Sequence, residues 1–466
     1  MSKISVIIVG AGPAGLAAAM TLKHQQPQAQ VCVIDKAAEA GNHNLSGATV
    51  EAGALEMLLD TVRPEWKESP AAKEILAYKV EKDNVMFFAG KNFAINIHNL
   101  LHLASMFKIN FGQMKHGGDY ILSISKLTKW LCQLAKEMGI EVIHGFAAED
   151  IIFDAEKNIA TGVKLVNQGI DKHGNKQPNY VAGEIVNADA VILAEGCDGL
   201  VTEKFIKKGS LERRAKQLYS VGVKELIRVS DEQFAKFSSG RVVHAMGYPL
   251  WTPVLGPEMF GGGVMHPVSQ NHIAVGMIVG LDWKYCDFNP QDALTNFKSH
   301  KFVKKFIEGG TIVEAGAKMI PEGGYYALPR FSQTSALGRG NVMILGDAAG
   351  LVNMIKIKGL HNAVKSGIAA GKAITQCGEN LTYAASKYTE LLNSMGVLDE
   401  MKVASKFRQN VANLGPLFGM PITALGQKVP LFDVEEDYHV MTGRKYKFKP
   451  AKNYDKDTFT AMAATQ

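Results

Sequence analysis

Ile4 to Lys36 reads ISVIIVGAGPAGLAAAMTLKHQQPQAQVCVIDK, and this stretch decides the fold. Ile4 to Val9 is apolar at every position but Ser5, the pattern of a parallel strand buried on both faces. It leads into Gly10, Gly12 and Gly15, a G-x-G-x-x-G spacing that opens an Ala- and Leu-rich helix. Gly10 permits a tight turn, Gly12 lets backbone approach a pyrophosphate, and Gly15 lets the helix lie close on the strand. The first turn of the helix offers amides and a positive dipole end to phosphate. A second apolar strand ends at Asp35, placed to accept a hydrogen bond from a ribose hydroxyl. The glycine triplet alone would be weak. Set between strand and helix, with the acid at the right distance, it is a strong dinucleotide-binding signature.

Two later segments extend the cradle. ADAVILAEGCDGLVTEKF carries a buried strand, Ala190 to Ala194, that breaks into Glu195, Gly196, Cys197, Asp198 and Gly199. GNVMILGDAAG carries another, Val342 to Leu345, that ends in Gly346 and Asp347. An acid at the carboxyl end of a parallel strand points into the ligand crevice. Asp347 is placed to accept hydrogen bonds from polyol hydroxyls, such as those of a flavin's ribityl chain.

These segments resemble the glutathione-reductase-like flavoproteins of the p-hydroxybenzoate hydroxylase type. The resemblance implies an α/β fold: a Rossmann-type FAD-binding domain, an inserted β-sheet-rich substrate or quinone domain, and a helical C-terminal part. It implies FAD, with Gly10 to Gly15 and Asp35 at the adenosine end and Asp347 at the ribityl chain. The FAD domain is then discontinuous, over residues 1–80, 118–205 and 335–376. Residues 81–117 and 206–334 form the quinone or substrate region, and 377–466 a helical C-terminal region and tail. Leu122, Leu127, Leu131 and Leu134 fall on one face of a helix that precedes a strand from Glu141 to His144. SVGVKELIRV, RVVHAMGYPL, FGGGVMHPV and HIAVGMIVGLDW read as strands of the insert, followed by a helix from Pro290 to Ile307.

The bulk properties narrow the function. A chain of 466 residues buries a large core, and a net charge of +6 is too mild to imply nucleic-acid binding. Cys32, Cys132, Cys197, Cys286 and Cys377 show neither metal-ligand nor redox-pair spacing, so neither a metal site nor an iron–sulfur cluster is expected in this chain. Scattered cysteines fit a reducing compartment. Three residues before Ile4 leave no room for a signal peptide, and no window supplies the ~18 unbroken apolar residues of a spanning helix. The expected location is the cytoplasm, peripherally attached to the inner face of the cell membrane.

KIKGLHNAVKSG, Lys356 to Gly367, is more specific than the general fold. It places Lys356, Lys358 and His361 just before a helix beginning near Leu360, in which Gly359, Gly367 and Gly371 allow close backbone approach. The string closely resembles the electron-transfer-flavoprotein:ubiquinone oxidoreductase family. NHNLSGATVEAGALEML (Asn42 to Leu58), VILAEGC (Val191 to Cys197), FGGGVMHPV and GAKMIPEGGYYALPR (Gly316 to Arg330) agree with it, so the likeness runs from about residue 4 to about residue 460.

The resemblance implies cofactor contacts at Gly10, Gly12, Ala14, Gly15, Asp35, Lys36, Ser46, Gly47, Ala48, Ala148, Gly196, Asp198, Gly346, Asp347, Asn353, Lys358 and Gly359. It implies quinone contacts at Gly261 and Gly262. Lys358 and the amides after it would favour negative charge on the reduced flavin. Three departures stand out. No cysteine follows Cys377 in this sequence, so the family's four-cysteine cluster is expected on a separate subunit; Ser123 replaces a frequent arginine, and GDAAG is closer to the general family. The expected partners are electron-transfer flavoprotein, a ferredoxin-like iron–sulfur subunit, and ubiquinone or menaquinone.

The membrane contacts expected are His98 to Phe111 and Leu414 to Leu425, with Lys108 and Arg408 for headgroups. The same fold also suits a flavin-dependent reductase or monooxygenase acting on an isoprenoid or other apolar substrate, or a flavin-binding subunit that only relays electrons.

Overall fold

The computed structural model describes residues 4–45, 47–99, 116–251 and 259–412. Ser46, most of the His98 to Phe111 stretch and all of Leu414 to Leu425 lie outside the described residues.

The apolar runs read from the sequence assemble into one sheet. Its order is Gly338–Arg339, Val342–Ile344, Ala190–Leu193, Ser5–Val9, Gln30–Asp35 and Glu141–His144. Every neighbouring pair is parallel except the first. Ile8 lies beside Ile192 on one side and Val33 on the other, and all three are fully buried. Because the central strands run the same way, the turns after Val9, Asp35, Leu193 and Ile344 gather along one edge. That edge is where an α/β sheet receives its ligand.

Helix Pro13–Gln25 covers this sheet and packs along helix Leu360–Cys377. Small residues make the contact close. A Cβ at Gly367 would fall 2.3 Å from the Ala14 carbonyl oxygen, and one at Gly371 would fall 2.8 Å from Thr21 Cβ. These two glycines therefore serve helix packing and do not face a ligand.

Helix Ile124–Glu137 begins at Ser123, whose hydroxyl accepts from the Lys126 amide at 3.3 Å. Leu127, Leu131 and Leu134 are buried on its inner face. Leu122 is not part of that helix. It closes the strand Tyr120–Leu122, which pairs with Ala48–Val50 and Tyr78–Lys79.

A second sheet of seven strands runs in the order Thr311–Pro321, Tyr219–Arg228, His272–Gly280, Gly261–Ser269, Arg241–Gly247, Lys82–Phe88 and Ala94–Asn96. Lys82–Phe88 joins it in parallel with Arg241–Gly247, so residues far apart in the chain build one surface. Phe237, Phe297 and Phe306 pack one face through the helices Asp231–Phe237, Pro290–Ser299 and Lys301–Ile307. The single helix expected from Pro290 to Ile307 is two. The chain turns at His300, whose ring accepts from the Phe302 amide at 3.1 Å and caps the second helix.

The helices Ala384–Ser394 and Val397–Val403 continue the chain. Beyond them Phe407 and Val411 pack with Val85, Phe260, Val352 and Met354, tying both sheets together. Arg408 corrects an expectation. It is 2% exposed, with Nη1 2.7 Å from Asp282 Oδ2 and Nε 3.3 Å from Glu322 Oε2. A guanidinium held this way is an internal cross-link and is not available to lipid headgroups.

Candidate functional site

The carboxyl edge of the parallel sheet opens into a cavity of about 500 Å³ that runs on to the face of the seven-stranded sheet. Its first wall is the glycine turn. Gly10 has φ +111°, and a Cβ there would fall 2.2 Å from the Ala194 carbonyl oxygen. A Cβ at Gly15 would fall 2.0 Å from the Gly10 carbonyl oxygen, so this glycine sets how closely helix and strand approach. At Gly12 a Cβ would meet nothing within 4 Å. The open space lies at the N-terminus of helix Pro13–Gln25, which has proline in its first turn, no side-chain cap and no acidic residue. That is the environment of an anion site.

Asp35 lines the cavity, and its carboxylate also organises the turn. Oδ2 accepts from the Ala11 amide and Oδ1 from the Ala37 amide, both at 2.7 Å. Lys36, Ala14, Gly47, Ala48, Ala148, Gly196, Asp347, Lys358 and Gly359 line the same space. Glu195 joins them. Burial pushes its pKa up, against hydrogen bonds at 2.7 Å from both the Thr202 amide and hydroxyl. Burial likewise pushes Asp347 up, opposed by Lys318. The side chain of Asp198 lies outside the described residues.

Three predicted residues act behind the wall. Gly15 spaces the helix. The Gly346 amide donates to Ser366 Oγ at 3.1 Å. Asn353 is fully buried, and its Oδ1 accepts from the amides of Ile355 at 2.9 Å and Lys356 at 3.0 Å. Asn353 also forms a β-bridge with Lys358. This clamp holds Ile357 at φ +54°, a left-handed conformation unusual for a β-branched residue. Strain of this kind costs about 1–3 kcal/mol and persists only where surrounding structure enforces it.

Lys356 and Lys358, before helix Leu360–Cys377, and His361, in its first turn, are all partnered. Lys356 Nζ lies 2.7 Å from Glu51 Oε1 and 2.6 Å from Glu400 Oε2. His361 Nε2 lies 2.6 Å from Glu400 Oε1. Burial raises the pKa of Glu400, but His361 and Lys356 outweigh it and hold the carboxyl far below its usual range. Lys358 is ion-paired with Asp119. Lys358 therefore enters the cavity wall as half of an ion pair, a partner that the sequence did not reveal.

Two histidines, His244 and His266, line the cavity from the second sheet. Burial pushes His244 down to about 3, aided by His116, and holds His266 well below its usual value. Both are neutral. His116 stacks on His244 with ring centroids 4.5 Å apart. Its Nδ1 faces Asp83 Oδ2 at 3.0 Å, and its Nε2 donates to the Lys356 carbonyl at 3.0 Å. Lys224 donates to the Gly47 carbonyl at 2.6 Å, and burial pushes its pKa down to about 8.

Gly261 and Gly262 begin the strand Gly261–Ser269 and do not line this cavity. A Cβ at Gly261 would fall 2.2 Å from the Ile278 carbonyl oxygen, and one at Gly262 2.5 Å from that of Ala245. Close strand packing accounts for both glycines.

Sequence reasoning missed Asp119, Glu51, Glu400, Asp83, His116, His244, His266 and Lys224. Glu51 and His266 stand inside stretches quoted for the family resemblance, but nothing in those stretches singles them out, and the others belong to no motif. Only the alternation of strand Arg241–Gly247 could have placed His244 on an inward face.

Comparisons with known proteins follow this geometry. The family description "FAD binding domain" matches residues 5–92, and "ETF-QO, ubiquinone-binding" matches residues 219–320. A probable mitochondrial electron transfer flavoprotein-ubiquinone oxidoreductase of Schizosaccharomyces pombe is 34% identical over 91% of this chain and 63% of its own length. The electron transfer flavoprotein-ubiquinone oxidoreductase of Pseudomonas aeruginosa is 32% identical over 94% of this chain and 77% of its own. The chain thus spans less than two thirds of the S. pombe protein and more of the bacterial one. Among solved structures, a geranylgeranyl bacteriochlorophyll reductase-like protein of Thermoplasma acidophilum superposes with a TM-score of 0.61 at 18% identity, covering 94% of this chain and 99% of that one. That likeness shows a shared fold. The ordered cradle, the second sheet and the sequence identity with the bacterial relative agree: this chain belongs to the electron transfer flavoprotein-ubiquinone oxidoreductase family.

Proposed function

We propose that this chain is an FAD-dependent oxidoreductase that passes electrons from electron-transfer flavoprotein to a membrane quinone, ubiquinone or menaquinone. The observation that carries the reading is the single cavity. It joins the glycine cradle to the sheet that carries the ubiquinone-binding match, so cofactor and acceptor can meet in one space. The relatives' names support the choice of donor and acceptor.

The open space at Gly12 and the uncapped helix suit the pyrophosphate, Asp35 the ribose and Asp347 the ribityl chain. Ser46 and Asp198 belong to the same proposed contact set. When bound, the flavin supplies the chemistry: it accepts electrons and passes them to quinone. The chain's residues bind and orient it, and the apolar wall of Val242, Val264, Met277 and Ile278 excludes water beside it. In this reading residues 1–80, 118–205 and 335–376 bind FAD, 81–117 and 206–334 receive the quinone, and 377–466 are the helical C-terminal region and tail. Gly261 and Gly262 do not line that cavity, so a quinone that they contact through backbone would extend beyond it, at the end of the second sheet.

Electrons arrive directly or through a separate ferredoxin-like iron–sulfur subunit. Among the described residues no helix is long and apolar enough to cross a membrane, and peripheral attachment at the inner face of the cell membrane is the proposed arrangement.

The test is anaerobic. Reduced electron-transfer flavoprotein, with the iron–sulfur partner where one exists, should bleach the yellow protein, and added quinone should restore the colour. Bleaching by NADPH but not by that donor would refute the reading.

A further inference from the structure

Asp119 and Lys358 meet where the small sheet holding Tyr120–Leu122 adjoins the loop that closes the cavity. The Lys358 side chain is 2% exposed and lines the cavity, and Asp119 is its only ion-pair partner among the described residues. Two other charged or titratable groups face Asp119, His116 and Glu51. Both are engaged elsewhere, His116 with Asp83 and Glu51 with Lys356. Asp119 itself is buried. Its negative charge therefore depends chiefly on Lys358, with a smaller contribution from His116, and Lys358 faces the ligand.

We propose that Asp119 is the charge-compensating proton acceptor of this cavity: when reduction places negative charge beside Lys358, Asp119 takes up a proton from solvent. This rests on the reading above, in which the flavin ring occupies the space that Lys358 and Gly359 line. The balance is simple. Two electrons and one proton convert the oxidised ring to a reduced ring carrying one negative charge. That charge competes with Asp119 for the Lys358 ammonium. Burial already raises the proton affinity of Asp119, and Lys358 is the largest influence opposing it. Released from the pair, the carboxylate binds the second proton and becomes a neutral acid. Two electrons thus bring in two protons, the number a quinone needs to leave as quinol, and Asp119 returns its proton when the ring is reoxidised.

The experiment is potentiometric titration of the FAD-loaded full chain at a series of pH values, which counts protons taken up per two electrons. Wild type should take up two. Asp119→Asn should take up one, with a raised potential, because Lys358 is then uncompensated. Lys358→Met should also take up one, with a lowered potential, because Asp119 is then protonated in both redox states. A full count of two in Asp119→Asn overturns the proposal. Infrared difference spectra of the wild type keep the test independent of variant folding. Reduction should create a protonated carboxylic acid signal, and its absence also overturns the proposal. A chain that purifies colourless and rejects FAD would instead refute the reading on which the proposal stands, before any titration begins.

Discussion

Alanine at Gly12 and alanine at Gly15 separate cofactor binding from folding. A Cβ at Gly12 has no protein atom within 4 Å, and its backbone has φ −78° and ψ 177°, which any residue adopts. The folded state therefore loses only the better N-cap, while the unfolded chain loses conformational freedom. These effects oppose one another and leave apo-protein stability within about 1 kcal/mol of wild type. The methyl group does fill the space through which a pyrophosphate would reach the helix amides. Loss of one charge-assisted hydrogen bond there is worth ~1.5–3 kcal/mol. FAD should then bind roughly 10- to 150-fold more weakly. Gly15→Ala behaves in the opposite way. Its Cβ would fall 2.0 Å from the Gly10 carbonyl oxygen, a backbone atom that cannot rotate aside. Overpacking of this kind should cost about 3 kcal/mol or more of stability. Urea unfolding of the apo-proteins and fluorescence titration with FAD read the two effects apart. Wild-type FAD affinity in Gly12→Ala, or equal destabilisation by both substitutions, would refute the assignment of the cradle.

Three further outcomes follow from the buried charges. Glu400→Gln leaves Lys356 and His361 short of a carboxylate and should cost about 3–5 kcal/mol near neutral pH. Because the folded Glu400 carboxyl titrates far below its usual value of 4.5, its contribution is complete above that value and fades as pH falls below it. The gap between wild type and variant, measured by urea unfolding, should close in acid. Lys224 gives a slope of the same direction in a more alkaline window: its folded pKa is lowered from 10.5 to about 8, so the unfolded chain holds more protons between those values and stability rises with pH across that window. Lys224→Met should abolish a rise on the order of 3 kcal/mol, and a variant retaining the slope would contradict the burial argument. Arg408→Met should lower stability by about 3–5 kcal/mol, since Asp282 and Glu322 lose their cation, yet leave binding of the folded protein to anionic vesicles unchanged.

The parts of the fold legible in the sequence were those whose physics is local. The doubly buried strands are continuous apolar runs, so Glu141–His144 matched the structure and Ala190–Leu193 and Val342–Ile344 differed by a residue at one end. The glycine turn was legible because backbone conformation and close approach dictate residue type position by position. The pairing of Lys82–Phe88 with Arg241–Gly247 was not, because nothing in either stretch announces a partner so distant in the chain. The break at His300 was missed because the apolar period continues through it, and only the capping geometry reveals the turn. In the candidate site, Gly12, Asp35 and Asp347 were found by motif. Asp119, Glu51 and Glu400 were not, since each reaches its cation from a different element.

Those carboxylates also explain why two lysines and a histidine stand together beside a cofactor cradle. Lys356 joins Glu51, at the start of helix Ala52–Val62, to Glu400 in helix Val397–Val403, and His361 shares Glu400. These bonds fasten the loop that carries the strained Ile357 to two separate helices, so they keep Gly359 in place against the cavity. Lys356 has two carboxylates and does not line the cavity, and a new negative charge there would find it already saturated. Lys358 has one carboxylate and does line it. Position and pairing together make Lys356 a cross-link and Lys358 a responsive charge, although the two residues are separated by a single isoleucine.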